Sequence, residues 1–260
     1  KVFAGITPVS VGGDSIGGTV TASSPAPVFA EPGTGSRAKG EAGAFYRSNG
    51  DARGANATAT YLSETLSLGY AGAFAEAGNY RAGGDFRAGT ATGRPGHALP
   101  LHEVGSTAYE TRNHLLSIAH RGERHLVEAK FGYQDMPYQL YPNQRMDLLG
   151  NTAERANLRY LGSFGWGSLE ARAYHERVEH FMDFGADKRF WYAGASGGPS
   201  AVDGVECSPA GPACAAGMPM YTESRTTGFS AKADVSLGEG SLVRAGGEYQ
   251  GYRLDDWWPP

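Results

Sequence analysis

Cysteine is almost absent from this chain: its 260 residues include two, Cys207 and Cys214, both inside "ECSPAGPAC". A close pair flanked by Pro and Gly suits a loop disulfide, which implies an oxidising compartment such as a periplasm or cell surface. Two unpaired loop thiols are the alternative. Long apolar runs are also missing. Nothing approaches the roughly 18 residues of a membrane helix, so a helical membrane span is excluded. Positive charge is not in excess: 23 Lys and Arg face 27 Asp and Glu, a formal charge of −4. No basic surface for nucleic acid is therefore expected. Gly-x-Ser-x-Gly and His-Glu-x-x-His are both missing, and no catalytic constellation replaces them, so an enzyme is not expected. The chain begins Lys-Val-Phe, without Met or an apolar leader, and stops at Trp-Trp-Pro-Pro. Both ends read as cuts in a mature or partial chain. What is abundant is glycine, 39 copies, about twice the usual ~7%.

From residue 36 onward, segments of about ten residues alternate with a period of two. Val127, Ala129, Phe131 and Tyr133 fall on one face, with Glu128, Lys130 and Gln134 on the other. Ala156, Leu158, Tyr160 and Phe164 oppose Arg155, Asn157 and Arg159 in the same way. Phe229, Ala231, Ala233, Val235 and Leu237 oppose Ser230, Lys232 and Asp234. The pattern predicts nine strands, near 38–48, 53–62, 65–79, 106–119, 125–135, 150–163, 167–180, 222–236 and 241–254. The links "SET", "HRGER", "FGWG" and "GEG" are tight. The links 80–105, 136–149 and 181–221 are long, and only "SNGDARG" after the first strand is a short link at the long-loop end. Tight turns at one end and long loops at the other mark an all-β, antiparallel transmembrane β-barrel of the bacterial outer membrane. A large soluble sandwich is the competing architecture. Single-chain bacterial barrels have even strand numbers, so nine strands imply an incomplete barrel.

Residues 1–35 do not alternate. "VGGDSIGGTV" follows a β-prone stretch and precedes a Pro-rich one. Gly12, Gly13, Asp14, Ser15, Ile16, Gly17, Gly18 and Val20 resemble the last part of the plug domain of TonB-dependent outer-membrane receptors. The resemblance implies two domains: the C-terminal part of a plug over 1–35 and the N-terminal part of a barrel over 36–260. It also implies active import of a scarce ligand, driven by the TonB complex, by a monomer embedded in outer-membrane lipid. Glycines permit the positive φ and close backbone approach that a plug against a wall requires. Asp14 suits either a turn cap or an ion pair with a lumenal Arg.

The five methionines, Met136, Met146, Met182, Met218 and Met220, all lie toward the long-loop ends. His180 and Met182 share one face of an extended chain, and so do Met218 and Met220. The two pairs come from adjacent antiparallel strand ends. Thioethers with an imidazole make a soft site that favours Cu(I); adaptable loop packing is the other use of Met. "YQDMPYQLYPNQRMD", "HFMD" and "GMPM" are also similar to the copper-receptor branch of the family. A ferric siderophore would instead meet the loop side chains Tyr138, Tyr141, Arg145, Trp191 and Tyr192. The transported ligand is thus a copper ion or an iron chelate, and no resident cofactor is expected. His97 and His175 read as solvated or lumen-lining. Trp257 and Trp258 suit the membrane interface, where amphipathic aromatics collect. A passive porin and a barrel enzyme are the remaining classes.

Overall fold

The computed structural model describes residues 1–6, 17–21, 25–92, 96–144, 146–187, 190–191, 201–202, 205–206, 220–238 and 240–257. Two short strands open the chain, β1 (Val2–Ala4) and β2 (Gly18–Val20), paired antiparallel. Gly18 has φ 129°, and a side chain there would meet the carbonyl oxygen of Phe3 at 2.7 Å. The pairing of β2 with β1 therefore needs this glycine.

The remainder is dominated by one sheet of nine antiparallel strands. They are β3 (Arg37–Arg47), β4 (Ala52–Leu62), β5 (Leu66–Ala77), β6 (Tyr109–Arg121), β7 (His125–Gln139), β8 (Asp147–Phe164) and β9 (Gly167–Asp183), followed, after a loop, by two more. Inside that loop, β10 (Phe190–Trp191), β11 (Ala201–Val202) and β12 (Val205–Glu206) form a small separate sheet. The wall then resumes with β13 (Met220–Ser236) and β14 (Leu242–Trp257). Each wall strand pairs with its predecessor in the wall, so the sheet is a simple meander. The strand ends joined through 63–65, 122–124, 165–166 and 237–241 lie at one end of the sheet, and those that border the long connections 78–108 and 184–219 at the other.

The nine strands match the sequence expectation in number and order. Several run further at their long-loop ends, with β8 starting at Asp147 and β13 at Met220. The outward face turns charged there, which ends the apolar alternation without ending the ladder.

The two faces differ in kind. Phe131, Leu158 and Phe229 project from one face and are about half exposed, at 51%, 50% and 52%. Glu128, Lys130 and Arg159 project from the other and pair with one another, Lys130 to Glu128 at 2.7 Å. Residues Pro25–Val28 lie on this polar face, sharing a cavity of about 230 Å³ with Lys39, Thr60, Ser117, Glu128 and Lys130. The incoming chain thus packs on the polar face, and the apolar face points away from it. That inversion is how a membrane wall is built, because lipid supplies the apolar contacts. On β13 the outward residues from Val235 to Thr227 precede Arg225, about 27 Å of strand at ~3.4 Å per residue. Tilted by roughly 40°, that spans about 21 Å, close to the usual apolar band.

Above the band runs an outward belt of ion pairs: Arg53 with Glu76, Arg112 with Asp135 at 2.9 Å, Arg177 with Glu223 at 3.0 Å, and Arg253 with Asp255 at 2.9 Å. One row further, Phe181, Tyr221 and Trp257 stack with ring centroids 4.4 and 5.3 Å apart. Trp257 therefore stands beyond the charged belt, outside the edge of the apolar band where the sequence suggested it. Trp258 lies outside the described residues.

The segment that enters β3 is clamped to the tight-turn rim. The Ala30 N–H donates to the Ser63 carbonyl at 3.0 Å, and the Gly33 N–H to Glu64 Oε1 at 2.7 Å. The Arg121 guanidinium lies 4.4 Å above the Phe29 ring.

Candidate functional site

The register of the wall brings several methionines to one corner. Met182 of β9 is paired with Met220 of β13, and Leu148 of β8 lies on the other side of Met182. One row toward the tight-turn end, His180 is flanked by Thr222 and Asn151, and Asn151 by Met136 of β7. All these residues belong to the polar, inward face. Directly opposed side chains on one face have Cβ atoms about 5 Å apart, within reach of two thioethers for one ion. His180 follows about 7 Å along the strand, and Met136 lies two strands away, about 10 Å. The His180 Nδ1 lies 3.1 Å from Asn151 Oδ1. Met146 directly precedes β8 and is half-buried at the same corner.

The other expected residues are more scattered. Tyr138 is paired with Glu110 and stands on the outward face, because the register shifts between Glu110 and Arg112 and reverses the facing of the residues beyond that point. Tyr141 is half-buried, and its N–H donates to Asp147 Oδ1 at 2.7 Å. Trp191 lies in β10. His175 is outward, not lumenal: it shares a row with Ala156 and Thr227, and its Nδ1 lies 2.7 Å from Thr227 Oγ1. Gly17 and Gly18 are placed at β2. Gly12, Gly13, Asp14, Arg145, Tyr192, Cys207, Cys214 and Met218 lie outside the described residues.

A polar knot beside the methionine corner was not foreseen from the sequence. Asp187 accepts from the Ser106 N–H at 2.9 Å and from the Asn79 amide at 2.7 Å, and contacts His97 Nε2 at 2.8 Å. Burial alone would push its carboxyl upward. The Ser106, Asn79 and His97 contacts outweigh that and hold it below the usual aspartate value. Asp147, fully buried, accepts from the Ser106 hydroxyl at 3.1 Å. The Asn79 side chain oxygen in turn accepts from the N–H groups of Thr107 and Ala108 at 2.9 and 3.1 Å. These partners are 28 to 108 residues apart in sequence, so no local motif announces them.

No protein-family model matches the chain, and no curated protein matches it by sequence. Solved structures do. The copper transporter OprC aligns over 98% of this chain and 34% of its own length, at TM-score 0.63 and 17% identity. The FrpB iron transporter of Neisseria meningitidis aligns over 85% of this chain in two variants. The F5-1 apoprotein gives a TM-score of 0.54 at 17% identity, and the F3-3 variant 0.51 at 18%. This chain has the fold of part of a TonB-dependent receptor barrel. It spans about a third of the length of those structures. In such a barrel wall, the Glu128, Lys130, Arg159 and Glu170 network lines the lumen at the tight-turn end, while the methionine corner and the polar knot stand at the opposite mouth.

Proposed function

We propose that this chain is the plug end (1–35) and the first nine wall strands (36–260) of a receptor that imports a metal across the bacterial outer membrane. Import draws on the TonB complex, and copper is the preferred cargo. The observation that carries the reading is the facing pair Met182 and Met220 beside His180, on the inward face at the long-loop mouth. Thioether and imidazole donors suit Cu(I) better than hard cations. The broad alignment with a protein described as a copper transporter supports the same reading. The inward face supplies polar wall for a plug, and the outward face apolar wall for lipid. The chain works as a monomer and carries out no chemistry on its cargo.

A Cu(I) titration of the complete protein tests this. Met182→Ala with Met220→Ala and Met218→Ala should weaken binding about tenfold or more, and unchanged affinity would refute the soft site. The likeness to an iron transporter favours a second reading, a ferric siderophore held by Tyr141, Arg145, Trp191 and Tyr192. In that case siderophore-dependent iron uptake, not copper uptake, would be lost when Tyr141 is replaced by Ala.

A further inference from the structure

We propose that Ser106 is a latch that positions the methionine corner: it binds three loop segments into one body and so fixes the strand ends carrying Met146 and Met182. The role as a positioner rests on the metal-site reading above. Ser106 belongs to the connection 78–108 and spends its two donors on two other segments. Its N–H goes to Asp187, beyond the end of β9, and its hydroxyl to Asp147, where the link 140–146 enters β8.

Three observations set this residue apart from an ordinary loop serine. Its φ is +59°, a left-handed conformation that non-glycine residues hold only where the surroundings over-determine it. Both of its acceptors are withdrawn from water, with Asp147 fully buried and the Asp187 side chain 8% exposed. The chain beyond β9 also closes on the same carboxylate: a side chain at Gly185 would stand 2.2 Å from Asp147 Oδ2.

The latch connects to the corner through the ladder. Asp147 is paired with Asp183, and Leu148 with Met182. The β8–β9 register shifts between Leu148 and Gly150, so the start of β8 does not inherit its placement from the β8–β9 ladder below, while β9 stays in register with β13 through Met182 and Met220. From outside the ladder, Ser106 ties the start of β8, through Asp147, to the chain beyond β9, through Asp187.

The test pairs hydrogen exchange with silver(I) titration, silver serving as a redox-stable soft cation, on the complete protein in lipid nanodiscs. Asp187→Ala should raise exchange in 78–108, 140–147 and 184–187 together and weaken silver binding about tenfold or more. Asp187→Asn retains an acceptor for the Ser106 N–H and should stay within about threefold of the parent, a rescue expected of an orienting partner. Ser106→Gly keeps the backbone conformation and the N–H but loses the hydroxyl, so it should loosen 140–147 more than 184–187. Faster exchange confined to the substituted segment would overturn the latch. Coupled exchange with unchanged silver affinity would overturn the positioning role. A parent protein that does not bind silver would refute the metal reading and the positioning role with it, while coupled exchange would still establish that the three segments are one body.

Discussion

Ser106, Asp147 and Asp187 show how much a few side chains can decide at the mouth of the wall. Asp187 is held below the usual aspartate value, so its contribution is present above the unfolded value and lost as pH falls through the folded one. His97 contacts it, and Glu103 and Arg87 stand close by. Cleavage within 78–108 by an acid-active protease should stay flat down to about pH 5 and rise only below about pH 4, near the unfolded aspartate value. In Asp187→Asn, cleavage should lose that acid step. A rise beginning well above the usual aspartate value would contradict the depressed carboxyl. None of this was legible in the sequence, because Ser106 and Asp187 are 81 residues apart and each alone is an ordinary loop residue. The pairing of Met182 with Met220 was legible, since parity along two adjacent antiparallel strand ends is enough to oppose them. Tyr138 was not: a single register shift moved it to the outward face, and period two carries no memory across a bulge.

At the scale of a strand, facing decides what a substitution costs. Phe229 and Ser230 are neighbours on β13, one facing outward and the other the lumen, where Ser230 is paired with Arg172 and Glu248. Phe229→Arg places a guanidinium in the apolar band and should cost about 2–4 kcal/mol if near its middle. Ser230→Arg, beside Glu248, should cost well under half of that. Urea midpoints of the complete barrel refolded into lipid vesicles would measure both, and equal losses would argue against lipid on the Phe229 side. Strand number and order were readable for this same reason, since each strand repeats one apolar face. The strand tops were readable only in part. Above the band, Arg177, Glu179, Glu223 and Arg225 face outward, and both faces of the strand are polar there.

Across the whole molecule, the sheet is an inside-out structure with two differently equipped ends. The tight-turn end carries an inward charge network and holds the incoming chain. The long-loop end carries the outward ion-pair belt, the inward methionine corner and the polar knot. The sequence conveyed this polarity through loop lengths alone, and the identity of the cargo depends on residues that the wall brings together only when folded. The clamp at the tight-turn rim has a mechanical consequence. Tension applied to the first residues would reach the wall at Phe29 and Ala30, before the first pair of β3. The load would then be shared between the 63–65 turn and Arg121 at the end of β6, and β3 would stay zipped to β4. Pulling single complete molecules from that side should release about 100 Å of this chain, some 28 residues at ~3.5 Å each, and then stall. In Phe29→Ala the stall should weaken, with slack running on into β3; an unchanged force trace would mean that the rim bears no load.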